Sequence, residues 1–189
     1  MNNFTVRVSK LVGTPTSTSW SQIHTFFPEE TEKQKERGIL MAVLTFSGVS
    51  GVDEELEVVT FGREILSRLH EEYYGELGTP AMEKLTKAVE TVSREFTTSQ
   101  RGLEITAGVI IQDVLYLAIS GKGEAWIKRD SSFQKVLAGG GEKIENASGF
   151  LQTNDLLILG TESLFKILPS GVLKAAVEND DPEEISEAI

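Results

Sequence analysis

Residues 103–130, LEITAGVIIQDVLYLAISGKGEAWIKRD, constrain the fold more than any other stretch of the chain. Three β-type runs, 103–111, 114–120 and 124–130, are separated only by Gln112-Asp113 and by Gly121-Lys122-Gly123. Parallel strands need a crossover of a dozen residues or more, so breaks this short demand tight hairpins and an antiparallel meander.

The rest of the chain reads around that meander. Upstream, FTVRVSKLV (4–12) alternates as a half-buried strand, GTPTSTSW is a loop of turn formers, and ILMAVLTF (39–46) is a continuous apolar run that predicts a central strand buried on both faces. Two amphipathic helices follow. The first carries Val58, Phe61, Ile65, Leu66, Leu69 and Tyr73 at three- and four-residue spacing. The second carries Met82, Leu85, Val89, Val92 and Phe96, with Thr79 as cap and Pro80 at the first position. Gly75 and Gly78 mark the break between them, which predicts an antiparallel hairpin lying on a sheet. After the meander come shorter strands, FQKVLA, GFLQ and DLLILG, the last another fully buried run. A helix over 161–168 starts at Thr161 and stops before Pro169. Strand, strand, helix pair, meander, buried strand and short helices in that order predict an α+β layered sandwich.

Composition narrows the function. Twenty-nine acidic residues against 18 basic ones give a net charge of -11, a field that repels nucleic acid and anionic lipid. The richest basic stretch, EKQKER, is interleaved with acids and reads as a solvated loop or helix. The absence of cysteine excludes thiol catalysis, disulfides and thiolate metal sites, and fits a reducing, cytoplasmic setting. No apolar run reaches the roughly 18 residues that span a bilayer. The closing NDDPEEISEAI has a helix start in Asp181 and Pro182 but no C-cap, so the single domain of residues 1–189 is expected to continue beyond Ile189.

Few residues carry chemistry. GVSG (48–51) lacks a lysine, and GGGEK (139–143) lacks the strand–loop–helix setting of a phosphate loop, so both read as turns. His24 and His70 are the two histidines; His70, beside Glu71 and Glu72, reads as a solvent-facing helical residue. Ser47 and Ser50 lack a nucleophile-elbow sequence. Asp53, Glu54 and Glu55 open the first long helix, where three acids complement the dipole. Glu162, after DLLILGT, is the one acid at the end of a buried run, either a metal ligand or a first-turn acid.

In segment order the chain resembles the metal-dependent protein serine/threonine phosphatases (PPM, type 2C) over essentially its whole length. AVLTFSGVSG with its long helix looks like the strand ending in Asp-Gly-His-Gly-Gly. LEITAGVIIQDVLYLAISGKGEAWIKRD looks like the strands around Gly-Asp-Ser-Arg-Ala. GFLQTNDLLILGTESLFKIL looks like the approach to Ser-Asp-Gly, and PEEISEAI like the start of the helix before a terminal Asp-Asn. The resemblance implies a four-layer α-β-β-α sandwich, two antiparallel sheets flanked by helices, with two divalent cations at one end.

The ligands it implies are replaced. Ser47 and Gly48 stand at the first Asp-Gly, TSTSWSQ has no acidic pair, Lys122 replaces the hairpin acid, and Glu162-Ser163 stand at Asp-Gly. Arg7 is the candidate phosphate-binding arginine. Ser47, Gly48 and Glu162 are thus vestigial metal positions, and Asp53 and Glu54 the remaining carboxylate candidates. A serine hydroxyl is a poor ligand for a hard cation beside an ammonium. The expectation is an inactive phosphatase-like domain with no cofactor and a protein partner. The alternative is a divergent Mn- or Mg-dependent phosphatase. A third use, phosphopeptide recognition, would need Lys122, Lys128 and Arg129.

Overall fold

The computed structural model describes residues 5–14, 19–29, 36–47, 54–75, 78–97 and 102–189, with backbone alone for 54–58. In chain order the elements are β1 (Ser19–Phe26), β2 (Ile39–Ser47), α1 (Glu54–Tyr74), α2 (Ala81–Phe96), β3 (Gly102–Ile111), β4 (Val114–Ser120), β5 (Glu124–Arg129), β6 (Ser132–Ala138), β7 (Glu145–Phe150), β8 (Leu156–Gly160), α3 (Glu162–Ile167), α4 (Ser170–Ala176) and α5 (Pro182–Ala188). They form a five-stranded sheet, β1-β2-β3-β4-β7, and a three-stranded sheet, β6-β5-β8. Every pairing is antiparallel, so the fold is α+β, as the meander requires.

Strand alternation sorts the side chains into two cores. On one face of the large sheet, Trp20, Leu40, Leu44, Phe46, Ile105 and Val109 pack with Ile65, Leu69, Leu85, Val89 and Val92 of the helix pair. Fully burying each such side chain is worth about 1.5–3 kcal/mol, which makes this the larger stabilising unit. On the opposite face, Ile110, Leu115 and Leu117 meet Ala125 of the small sheet, with Leu157 and Leu159 packed against them. Beyond the small sheet, Phe165 of α3 approaches Trp126, and Asp180 pairs with Lys128. The layers therefore run helix pair, sheet, sheet, short helices.

Several sequence expectations shift. Residues 5–12 form no strand: they pair with the C-terminal helix instead, through Arg7 Nη1 to Asp181 Oδ2 at 2.9 Å and Ser9 Oγ to Ser186 Oγ at 2.7 Å. Alternation alone does not make a strand without a ladder partner, and Val8, Leu11 and Val12 stay exposed. The first strand is SWSQIHTF, inside and beyond the expected loop; Trp20 pairs with Phe46 and Phe26 with Leu40. Strand β2 alternates between fully and partly buried residues rather than being sealed on both faces, because the small sheet is narrower than the large one. Strand β8 is likewise only partly buried, since it has a single neighbour, β5.

Smaller departures follow the same logic. Strand β7 starts at Glu145, four residues before GFLQ, as a polar edge strand. Pro80, not Thr79, occupies the cap position of α2, without a side-chain cap bond. Asp181 caps α5 as expected, accepting the Glu183 N–H at 2.9 Å. Arg37, in the stretch expected to be solvated, is buried and donates to the Thr79 carbonyl at 3.0 Å.

Candidate functional site

One end of the sandwich gathers the polar residues that the apolar strands exclude elsewhere. Register places Thr45 of β2 opposite Glu104 of β3, and Ser47 opposite Gly102, on the face that looks toward the small sheet. Across from them lie the β4–β5 turn, Gly121 to Gly123, and the junction from β8 into α3 at Gly160 to Glu162. The turn is tightly fitted. Gly121 has φ +94°, and a Cβ at Gly123 would lie 2.0 Å from Thr106 Oγ1. The glycines of GGGEK run alongside, Gly139 N–H donating to Gly123 O and Gly141 N–H to Gly121 O, both at 2.9 Å. That stretch is therefore a close-packed backbone brace for the turn.

Glu104 is the centre of this end. Its half-buried carboxylate accepts the Glu162 N–H at 2.7 Å, tying β3 to α3, and its stem lies against the turn, where a Cβ at Gly121 would be 2.7 Å from Glu104 Cγ. Burial pushes its carboxyl above the usual range, helped by the charge of Glu162 and opposed by the Glu162 N–H, the nearby Lys122 backbone and Lys166. Thr106, fully buried two residues on, donates its hydroxyl to Gly160 O at 3.0 Å and fixes β8 to β3.

Glu162 is the first residue of α3, and its carboxylate is taken from both sides. Oε2 lies 3.0 Å from Lys166 Nζ, one helical turn on, and Oε1 lies 3.6 Å from Lys122 Nζ. The Lys166 hydrogen bond, with the nearby Lys122, holds its carboxyl below the ordinary value against some desolvation.

The sequence-derived candidates separate. Ser47 and Glu162 lie at this end, and Lys122 on the turn reaches Glu162; Ser47 is exposed at the last position of β2. Gly48, Ser50 and Asp53 lie outside the described residues, and Glu54 and Glu55 begin α1 with side chains outside them. Arg7 is engaged by Asp181, Lys128 by Asp180, and Arg129 by Asp155 in a two-pronged pair at 2.6 and 2.8 Å. His70 is half-buried rather than fully solvent-facing. Its ring packs on Phe26 at 4.4 Å and Tyr74 at 4.7 Å, and stands 6.3 Å from His24. Burial first, then His70 and Lys10, lowers the His24 imidazole. Glu104 and Thr106 were missed; the signal was two polar residues on one face of the otherwise apolar LEITAGVII.

Chemically, the donor set among the described residues does not suit a pair of divalent cations. Among the described residues this end holds two carboxylates, Glu104 and Glu162, but one is engaged by the Glu162 N–H and the other by two ammoniums. Ser47 brings a neutral hydroxyl. Among the described residues no group of three or more histidine or acidic side chains is placed to hold a metal.

No protein-family model and no curated protein matches the chain. Solved structures do. The serine/threonine phosphatase of S. agalactiae superposes with a TM-score of 0.66 at 12% identity, covering 94% of this chain and 88% of that one. The serine/threonine phosphatase PstP of Mycobacterium tuberculosis gives 0.60 at 13%, covering 89% and 88%. The PP2C phosphatase domain of SpoIIE from Bacillus subtilis, solved with a fragment of its regulatory domain, gives 0.62 at 15%. This is the PP2C phosphatase fold. The match covers 89% of this chain but 51% of that SpoIIE chain, so the chain spans about half its length. One PP2C-fold neighbour, the PstP catalytic domain, was solved in complex with two manganese ions.

Proposed function

We propose that this chain is a phosphatase-fold module that has lost metal-dependent hydrolysis and acts by binding another protein. The observation that carries the reading is the state of Glu162: the acid at the end of β8 is matched by Lys122 and Lys166 at 3.6 and 3.0 Å. A fold can keep its scaffold while its site is put to other use. The net charge of -11 favours a basic surface on the partner and disfavours nucleic acid. Among the described residues no helix is long and apolar enough to cross a membrane, and a cytoplasmic setting fits the cysteine-free composition.

A second reading, a divergent Mn- or Mg-dependent phosphatase acting on phosphoserine or phosphothreonine, is favoured by one feature. Glu104 places a second carboxylate beside Glu162. Titration calorimetry with Mn²⁺ and Mg²⁺, run with an aryl-phosphate assay on the same sample, separates the two. The binding module gives no millimolar affinity and no turnover. Metal-dependent turnover that Glu162→Ala abolishes overturns it.

A further inference from the structure

Two carboxylates meet where β3, the β4–β5 turn and α3 converge, and the chain brings their counter-ions with them. Glu104 accepts the Glu162 N–H at 2.7 Å and packs against Gly121, so the residue that anchors it, and the neighbour of the one it packs on, carry the next layer of charge. Glu162 then bridges Lys122 and Lys166. Two acids and two bases thus lie together, with both ammoniums on Glu162. The placement of Lys122 is built in: its stem runs past Gly141, whose missing Cβ would lie 3.9 Å from Lys122 Cε, and the turn that carries it is braced by Gly139 and Gly141. Lys166 sits four residues after Glu162 on α3, the spacing that brings two helical side chains together.

We propose that Lys122 and Lys166 are a resident counter-ion pair: their ammonium groups supply from the chain itself the positive charge that keeps Glu104 and Glu162 adjacent and holds the turn against the start of α3. This deepens the binding-module reading and rests on it in that no dication is then needed to order this end. Each lysine is more than half exposed, so either ion pair alone is weak in water. The effect comes from both ammoniums meeting at Glu162, whose charge would otherwise repel the half-buried Glu104 that its backbone N–H holds beside it.

The test compares melting of the wild-type chain, the Lys122→Met/Lys166→Met double variant and the Lys122→Arg/Lys166→Arg double variant, each in EDTA and in millimolar Mn²⁺. The wild type is expected to melt at one temperature in both. The methionine variant should melt about 2–4 °C lower in EDTA and regain that loss with Mn²⁺, because the exposed carboxylate pair then takes a dication. The arginine variant should keep the wild-type value, which tests charge even if the methionine variant fails to fold. A methionine variant that melts with the wild type in EDTA, or stays low in Mn²⁺, overturns this inference alone. An arginine variant as low as the methionine one also overturns it. A wild type whose melting temperature rises with Mn²⁺ and which turns over aryl phosphate overturns both this inference and the function proposed above.

Discussion

Replacing Thr106 by valine removes one hydroxyl from the inter-sheet face of β3 and leaves the shape of the side chain nearly unchanged. That hydroxyl is fully buried and donates to the Gly160 carbonyl at 3.0 Å, the last residue of β8 before Thr161 and Glu162. The bond therefore joins the large sheet to the small one at the end where the charged residues collect. A typical intramolecular hydrogen bond contributes about 1 kcal/mol net, and leaving its buried acceptor short of a partner raises the cost, so Thr106→Val should cost about 1–2 kcal/mol. For a chain of this size that is a fall of about 2–8 °C in melting temperature. With an m-value near 2 kcal/mol/M, the urea midpoint should move down by about 0.5–1 M at constant m. The slightly better strand propensity of valine works in the other direction but is a fraction of the loss. The assay is equilibrium urea unfolding followed by circular dichroism on both proteins. A valine variant within about 0.3 kcal/mol of the wild type would refute the claim that this bond holds β8 in place.

Two further outcomes follow from other parts of the molecule. Gly38 has φ +65°, and a Cβ there would lie 1.9 Å from the Ile110 carbonyl oxygen; Gly38→Ala should therefore cost more than about 3 kcal/mol, measured as a shift in urea midpoint. His24 titrates below its ordinary value in the folded chain, because burial and the nearby His70 and Lys10 disfavour its cation. The unfolded chain then binds the extra proton first, so stability should fall as pH drops below about 6.5 toward the folded pKa, and His24→Phe should flatten that slope in melts from pH 7.5 to 5.

Much of the fold was legible because it rests on local pattern. The tight breaks at Gln112-Asp113 and Gly121-Lys122-Gly123 fixed the meander, and three- and four-residue spacing fixed both long helices to within a few residues. What escaped was set by partners. FTVRVSKLV alternates well but lies outside any ladder, whereas SWSQIHTF alternates poorly and pairs along its whole length with β2. Strand β7 is an exposed edge with no apolar face to announce it. At the site, Ser47, Lys122 and Glu162 could be placed from the order of segments, since each ends or follows a strand. Glu104 could not, because its role depends on a backbone N–H delivered from a residue 58 positions away. His70 was misread for a related reason: its neighbours Glu71 and Glu72 suggest water, but helix geometry turns it toward Phe26.

The division of the interior into two unequal cores has a kinetic meaning. Among the described residues, twenty buried ones join the helix-side core, whereas four form the inter-sheet one. Opening free energies within a native protein follow such local differences, so the small sheet should separate from the large one well before the helix pair lifts away. Glu104 stands on the persistent half, and Lys122 and Glu162 are linked to the half that opens. A partner that touches both would be reading whether the two sheets are closed.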